Sequence, residues 1–281
     1  MFRILSKERI APKEYDFWVD APRIASHTRP GQFVVLRSDD KGERVPLTVA
    51  DFDVHRGAIR IVFQIVGKTT ALLASLETGG SILDISGPLG NPSEIDNYGT
   101  VMTVGGGVGI AALYPIIRGL KKAGNRVVTI LGGRTSDLVI MKCECAEYSD
   151  ELIVTTDDGS EGIKGLVTDA MKLVAERGEK IDRVWAIGPS IMMKFCASTA
   201  RGLGLPIWVS MNPIMIDGTG MCGCCRLSVD GRVKFGCVDG PEFDGHKVDW
   251  DDFMNRMKQY KEEEKISMGK YESEVGDLSW L

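Results

Sequence analysis

The hydrophobic rhythm of this chain changes near Thr100, and that change limits what it can fold into more than any other feature. From Met1 to about Asn97, short β-rich runs (Tyr15 to Val19, Gln32 to Arg37, Ile59 to Val66, Ile82 to Ile85) alternate with turn residues. Asp39-Asp40-Lys41-Gly42, His55-Arg56-Gly57 and Thr78-Gly79-Gly80 are such turns. Short strands with little helical periodicity predict a small antiparallel barrel over residues 1–97. Only Thr70 to Leu76 reads as a helix there. From Thr100 onward, apolar strands alternate with helical stretches: Val101 to Val104 then Ile110 to Lys122, and Arg126 to Leu131 then Asp137 to Glu147. Leu152 to Thr155 then Gly165 to Glu176, Val184 to Ile187 then Ser190 to Arg201, and finally Ile207 to Met211 complete the series. Such alternation predicts a five-stranded parallel sheet, covered by helices on both faces, over residues 98–211. The expected fold class is thus a β-barrel plus an α/β domain.

A length of 281 residues agrees with two domains, at roughly 100 to 200 residues each. Residues 212–245 belong to neither rhythm. They are rich in Gly, Cys and Asp and too short for a core of their own, as expected of a segment organised around a metal. Residues 246–281 form a charged helical extension, with Trp250, Phe253, Met254, Met257 and Tyr260 at helical spacing on one side. Such a stripe either covers the chain's own core or docks a partner, and covering a local core is the commoner use.

Four of the seven cysteines, Cys222, Cys224, Cys225 and Cys237, fall in the segment 212–245. An odd total, tightly grouped, suits a metal site in a reducing compartment better than a disulfide framework. With Asp217 as first member, the spacing D-x4-C-x2-C-x11-C matches the plant-type 2Fe-2S pattern with its first cysteine replaced by aspartate. A carboxylate is anionic like a thiolate. Gly218, Gly220 and Gly223 let the loop turn backbone N–H groups toward cluster sulfurs. Three other readings stay open: a zinc ion held by Asp217, Cys222, Cys225 and Cys237, a cluster that uses Cys224 in place of a neighbour, and a group of reduced structural thiols. Cys143, Cys145 and Cys196 lie on expected helices and read as buried small hydrophobes.

Gly105-Gly106-Gly107-Val108-Gly109 follows the strand Val101 to Val104 and opens a helix. Phosphate approaches backbone closely at such a turn and meets the positive end of the helix dipole. Gly107-x-Gly109-x-x-Ala112 fits the dinucleotide fingerprint, although any tight strand-to-helix turn favours glycine. The next strand ends in Gly132-Gly133-Arg134 without the acidic residue that a Rossmann ribose site uses. A nicotinamide nucleotide site of another family is the better reading, beside that of a plain tight turn.

A formal net charge of -5, with no Lys/Arg cluster, argues against a nucleic-acid partner. Charges interrupt the N-terminus every few residues, so it lacks the apolar core of a secretory signal. No stretch approaches the roughly 20 apolar residues of a membrane helix. A cytoplasmic protein is expected.

Barrel, glycine-rich turn and C-terminal cluster pattern together resemble the ferredoxin-NADP reductase superfamily over about residues 1–245. The likeness is greatest to its anaerobic electron-transfer subunits, of the dihydroorotate dehydrogenase type and of the NADH-dependent reduced ferredoxin:NADP oxidoreductase (sulfide dehydrogenase) type. Asp217 in place of the first cluster cysteine agrees with the second type. The resemblance implies FAD between barrel and nucleotide domain. Arg44, Pro46, Leu47 and Thr48 would match the family's arginine-to-hydroxyl stretch, with one more residue between Arg44 and Thr48 than usual. Val66, Gly67, Thr69 and Thr70 would match its Gly-x-x-Thr turn. Thr70 and Gly67 also suit an ordinary helix N-cap.

Gly87-Pro88-Leu89-Gly90-Asn91 resembles the family's link between domains. The resemblance places NAD(H) at Gly105, Gly106, Gly107, Val108 and Gly109, with Asp158 in a loop facing the nucleotide. Gly188, Pro189 and Met192 would lie on the nicotinamide side, where Ile187 replaces a frequent cysteine. The cluster ligands would be Asp217, Cys222, Cys225 and Cys237. FAD then exchanges hydride with NAD(H) and single electrons with the cluster, and no acid-base side chain is assigned. A larger flavin- and iron-sulfur-bearing partner subunit is implied, with ferredoxin reached through the complex and electron bifurcation as its activity. The alternatives are an electron-transfer subunit for NAD-linked dihydroorotate oxidation and a zinc-stabilised nucleotide-binding regulator.

Overall fold

In the N-terminal half, β1 (Phe2–Ala11), β2 (Glu14–Asp20), β3 (Phe33–Arg37), β4 (Arg44–Asp53), β5 (Ala58–Gln64), β6 (Ser81–Ile82) and β7 (Asp84–Leu89) each send side chains into one shared interior. These strands form one antiparallel sheet in the order β6-β1-β2-β5-β4-β3-β7. Only Leu83 separates β6 from β7, yet they pair with opposite edges, β1 and β3. One stretch of chain therefore holds both edges of the curled sheet. Its interior packs Phe17 edge-on to Phe63, with ring centroids 5.1 Å apart, among Ile4, Leu36, Ile59 and Ile61. Two short helices, α1 (Pro22–Ala25) and α2 (Lys68–Ala74), cover its ends. The computed structural model describes residues 1–40 and 42–276. Lys41 of the first expected turn and residues 277–281 of the extension lie outside the described residues.

Strands β1 and β4 are additional to the expected runs, and the run Ile82 to Ile85 is not one strand but is divided at Leu83 between β6 and β7. Pro46 sits inside β4 opposite Val35. A proline demotes a run in sequence reading because it offers no N–H to the ladder, and this hid β4.

The second domain forms strands at the five expected runs, β8 (Thr100–Gly106), β9 (Arg126–Gly133), β10 (Glu151–Thr156), β12 (Arg183–Ile187) and β13 (Ile207–Ser210), but a sixth parallel strand, the short β11 (Ile163–Lys164), pairs with β10, so the sheet exceeds the expected five strands. Helices α3 (Gly109–Lys122), α4 (Lys142–Glu147), α5 (Val167–Glu176) and α6 (Ser190–Gly202) cover it. The segment after β13 adds a hairpin, β14 (Arg226–Val229) and β15 (Arg232–Phe235), and then β16 (Glu242–Asp244). β16 joins the large sheet antiparallel to β13, so the sheet runs β11-β10-β9-β8-β12-β13-β16 and is mixed, not wholly parallel.

The expected helix Asp137 to Glu147 is broken. A 3₁₀ turn at Ser136–Leu138 precedes α4, and Met141 between them takes a left-handed φ of 53°. Cys143 is consequently exposed and not a core residue, whereas Cys145 and Cys196 are buried as expected.

The segment 212–245 has no separate core. Leu227, Val229 and Phe243 join the nucleotide-domain interior, while Met215, Cys225 and Cys237 pack with Phe33 and Val35 of the barrel. Of the C-terminal stripe, Phe253 is buried, and Trp250 and Met257 lie against the same nucleotide-domain core. The helix α7 (Trp250–Arg256) ends before Tyr260, which has φ 65° and is exposed. The next helix, α8 (Lys261–Val275), reaches back and inserts Tyr271 into the barrel core. Half-buried ion pairs, Arg118 to Asp51 at 2.6 Å and Arg60 to Glu144 at 3.3 Å, also span the two domains, and Asp16 holds Arg60 from within the barrel at 2.7 Å.

Candidate cofactor site

A cavity of about 520 Å³ lies between the barrel and the C-terminal ends of β8, β12 and β13. Its volume is in the ordinary range of about 300 to 1,000 Å³ for small-molecule sites. β4 contributes Pro46, Leu47 and Thr48, the approach to α2 contributes Val66 and Thr70, and the glycine turn contributes Gly106, Gly107, Val108 and Gly109. Gly188 and Pro189 close it from the β12–α6 turn. Eleven of the residues expected at a cofactor thus meet at one cavity. The other expected residues lie outside its lining. Arg44 is exposed at the start of β4, opposite Arg37, and Gly67 and Thr69 begin α2. Gly105 is buried behind the turn, Met192 packs beneath it, and Asp158 lies in the loop after β10.

The glycines of the turn serve different ends. A Cβ on Gly109 would stand 2.6 Å from the Gly188 Cα and 2.7 Å from the Ile187 oxygen, so Gly109 permits the β8 and β12 turns to touch backbone to backbone. A Cβ on Gly106 would collide with the Met192 sulfur. Gly107 differs: it has a left-handed φ of 52° with no neighbour within 4 Å of a Cβ, and it faces the cavity. Gly107 N–H donates to Gly132 O at 3.2 Å, which fixes the turn against β9.

Thr70 is 5% exposed, and its hydroxyl oxygen accepts the N–H of Val66 at 2.9 Å and of Gly67 at 3.2 Å. The residue caps α2 while forming part of the cavity wall. Asp158 accepts both the N–H and the hydroxyl of Ser160, and these bonds hold its carboxyl below the usual range. Ser160 Oγ in turn accepts the N–H of Ser136, tying together the loops after β9 and β10.

Sequence reasoning missed the floor of the cavity. Phe33 of β3, Gln64 of β5, Ser210, Met211, Asn212, Pro213, Met215 and Pro241 line it. Gln64 carried a signal in the strand that ends there. The residues after β13 had no local signal, because only the tertiary fold returns them to the barrel.

Below that floor stand the thiols. Cys225 and Cys237 are each 2% exposed with their sulfurs 3.1 Å apart. Burial, reinforced by the Cys225 thiol, pushes Cys237 up to about 12. Cys222 is exposed on the loop above. The N–H groups of Cys224 and Asp217 face its sulfur and hold it below the ordinary thiol value. Asp217 accepts the N–H of Thr219 and of Cys222, both at 2.7 Å, which lowers its carboxyl.

Gly218, at φ 79°, lets this loop lie on the barrel, where a Cβ would be 2.7 Å from Leu89. Among the described residues, no three His, Cys, Asp or Glu side chains are grouped to hold a single metal ion. The candidate donors come instead as a buried pair, Cys225 with Cys237, and a rim pair, Asp217 with Cys222. Two pairs suit a binuclear cluster better than one tetrahedral zinc. Cys224 is partly buried, and burial pushes its thiol up. Phe33 and Met215 belong both to the cavity lining and to the group packed on Cys225 and Cys237, so a single layer of side chains separates cavity from thiols.

Residues 212–249 match the iron-sulfur cluster binding domain of dihydroorotate dehydrogenase B. This match displaces the zinc reading. A Thermotoga maritima protein described as a dihydroorotate dehydrogenase B (NAD(+)) electron transfer subunit homolog is 58% identical over 98% of this chain and 96% of its own. The dihydroorotate dehydrogenase B electron transfer subunit of Geobacillus thermodenitrificans is 33% identical over 87% of this chain and 96% of its own. A solved structure of NADH-dependent reduced ferredoxin-NADP oxidoreductase, described for flavin-based electron bifurcation, contains a chain 56% identical to this one. It superposes with a TM-score of 0.92 over 96% of this chain and 98% of that one. The cofactors that accompany this kinship are FAD and a 2Fe-2S cluster, with NAD(H) as the nucleotide substrate. An antiparallel barrel sheet, a mostly parallel nucleotide sheet and an iron-sulfur segment make this an oxidoreductase subunit of the ferredoxin-NADP reductase fold, and the chain belongs to the dihydroorotate dehydrogenase B electron-transfer-subunit family.

Proposed function

We propose that this chain is the NAD(H)-linked electron-transfer subunit of a bifurcating complex of the NADH-dependent reduced ferredoxin:NADP oxidoreductase type, working with a larger flavin- and iron-sulfur-bearing subunit and, through it, with ferredoxin. The observation that carries this reading is the shared layer of Phe33 and Met215, which puts the cavity and the thiols within one side chain of each other. FAD, when bound, links two-electron exchange with NAD(H) to one-electron exchange with a cluster.

In this reading Pro46, Leu47, Thr48, Val66 and Thr70 hold the flavin against the barrel, with Arg44, Gly67 and Thr69 at its outer end. Gly105, Gly106, Gly107, Val108 and Gly109, together with Gly188, Pro189 and Met192, shape the nicotinamide side, and Asp158 borders the rest of the nucleotide. Asp217, Cys222, Cys225 and Cys237 hold the cluster. Apolar lining keeps water from the exchange, and Phe33 and Met215 keep the two centres close. All seven cysteines are free thiols, which suits the cytoplasm, and among the described residues no helix is long and apolar enough to cross a membrane.

Two experiments test the reading. Anaerobic titration of the purified protein with NADH and NADPH should bleach the flavin with NADH first; a clear preference for NADPH sinks the nucleotide assignment. Purification with the native partner should bring down a larger flavin- and iron-sulfur-containing subunit. A second reading, service to dihydroorotate oxidation, is favoured by the 58% identical relative and its description. A partner that oxidises dihydroorotate would establish it.

A further inference from the structure

Two arginines outside the proposed ligand set hold backbone oxygens of the loop that carries Cys222 and Cys225. Arg226 Nη1 donates to Gly223 O at 3.1 Å, and Arg256 Nη2 donates to Cys224 O at 3.4 Å. Those oxygens belong to consecutive peptide units, Gly223–Cys224 and Cys224–Cys225, inside the C-x2-C turn between Cys222 and Cys225. Both peptides are trans. In a trans peptide the C=O and N–H point in opposite directions, so an arginine that holds each oxygen also fixes the N–H of Cys224 or Cys225 on the opposite side of its peptide. Among the described residues, neither N–H donates to a backbone carbonyl.

The two arginines are held differently, for Arg226 is exposed and Arg256 is not. Arg256 is half-buried on α7, whose Phe253, 1% exposed, anchors the helix in the nucleotide-domain core beside Met257. Arg226 opens β14, and its own N–H also reaches Gly223 O at 3.4 Å.

We propose that Arg226 and Arg256 are positioning residues for the iron-sulfur cluster: they aim two peptide N–H groups at its ligand sulfurs and, with their two positive charges, raise its reduction potential. The proposal rests on Cys222 and Cys225 being cluster ligands. N–H···S bonds and nearby positive charge both favour the reduced, more negative form of a cluster. Neither arginine touches a proposed ligand side chain, so each acts through the loop. α7 lies beyond the iron-sulfur segment proper, and its packing thereby reaches the potential of the centre.

The test uses the whole protein with its cofactors, carrying Arg226→Gln, Arg256→Gln, both together, or Arg256→Lys. Iron and sulfide are counted, and the cluster is titrated anaerobically by electron paramagnetic resonance. Full cluster content is expected, with a falling reduced-to-oxidised ratio at a fixed potential. The double variant should fall about tenfold, which corresponds to about 59 mV for a one-electron couple. Arg256→Lys keeps the charge without the guanidinium fork and should lie between unaltered protein and Arg256→Gln. Unchanged midpoints at full cluster content overturn the proposal. Loss of iron and sulfide in the single variants overturns it too, since the arginines would then be supports of the loop. Iron and sulfide absent from the unaltered protein would instead remove the cluster assignment beneath it.

Discussion

The sulfurs of Cys225 and Cys237 stand 3.1 Å apart although twelve positions separate them in the chain. The β14–β15 hairpin causes this: it folds the chain back so that Gly236 N–H bonds Cys225 O at 3.0 Å. Removing either sulfur removes half of the buried donor pair. Cys225→Ser or Cys237→Ser, prepared anaerobically, should lack the visible absorption of the cluster, whereas Cys224→Ser should retain it. An intact spectrum in either of the first two proteins would show the ligand assignment to be wrong.

One substitution separates the observed and the proposed role of Asp217. Both its oxygens organise the loop through the N–H groups of Thr219 and Cys222, and in the proposed ligand set its charge would also supply the fourth anionic donor. Asn at 217 keeps a side-chain acceptor but loses the charge. Asp217→Asn should bind less iron and sulfide than the unaltered protein while folding normally by circular dichroism. Full iron content with an unchanged spectrum would leave Asp217 as a loop organiser alone.

The parts of this site that were legible in the sequence are those carried by contiguous residues. Gly105 to Gly109 advertised a strand-to-helix turn, and the D-x4-C-x2-C-x11-C spacing advertised a cluster, because each works within a dozen or so residues. Phe33, Met215 and Pro241 come from three distant segments, and nothing local marks them as one floor. β4 was obscured by Pro46, and the interruption of the expected helix at Met141 depends on a left-handed residue that composition does not announce. Periodicity placed Trp250, Phe253 and Met257 on one face correctly, but Tyr260 left it because the chain turns there into α8.

The glycine turn makes a prediction with an internal control. A methyl group at Gly109 meets backbone of Gly188 and Ile187, which has nowhere to move, whereas one at Gly106 meets the flexible end of Met192. Overpacking of this kind costs about 1 to 3 kcal/mol. Gly109→Ala should lower the unfolding midpoint and loosen FAD binding, and Met192→Ala should not rescue it. The same Met192→Ala change should restore much of the stability lost in Gly106→Ala. Equal rescue of both would mean that the two turns are not in backbone contact.

Glu14 gives the protein a stability that declines with pH. It is 1% exposed; one carboxylate oxygen accepts Gln64 Nε2 at 3.4 Å, and the other is buried with no hydrogen-bond partner among the described residues. Burial pushes its carboxyl from 4.5 up to about 7. Below the lower value Glu14 is protonated whether the chain is folded or not. Between the two values the folded protein keeps a proton that the unfolded chain has released, so stability falls as pH rises through this window and stays lower above it. The full effect is on the order of 3 kcal/mol. Glu14→Gln cannot ionise and should show a smaller drop in urea midpoint between pH 5 and pH 8 than the unaltered protein, ending above it at pH 8. Because Gln64 also lines the cofactor cavity, FAD content should be measured at both pH values, so that cofactor loss is not read as the titration of Glu14. Parallel pH profiles for the two proteins at equal FAD content would show that Glu14 does not carry the effect.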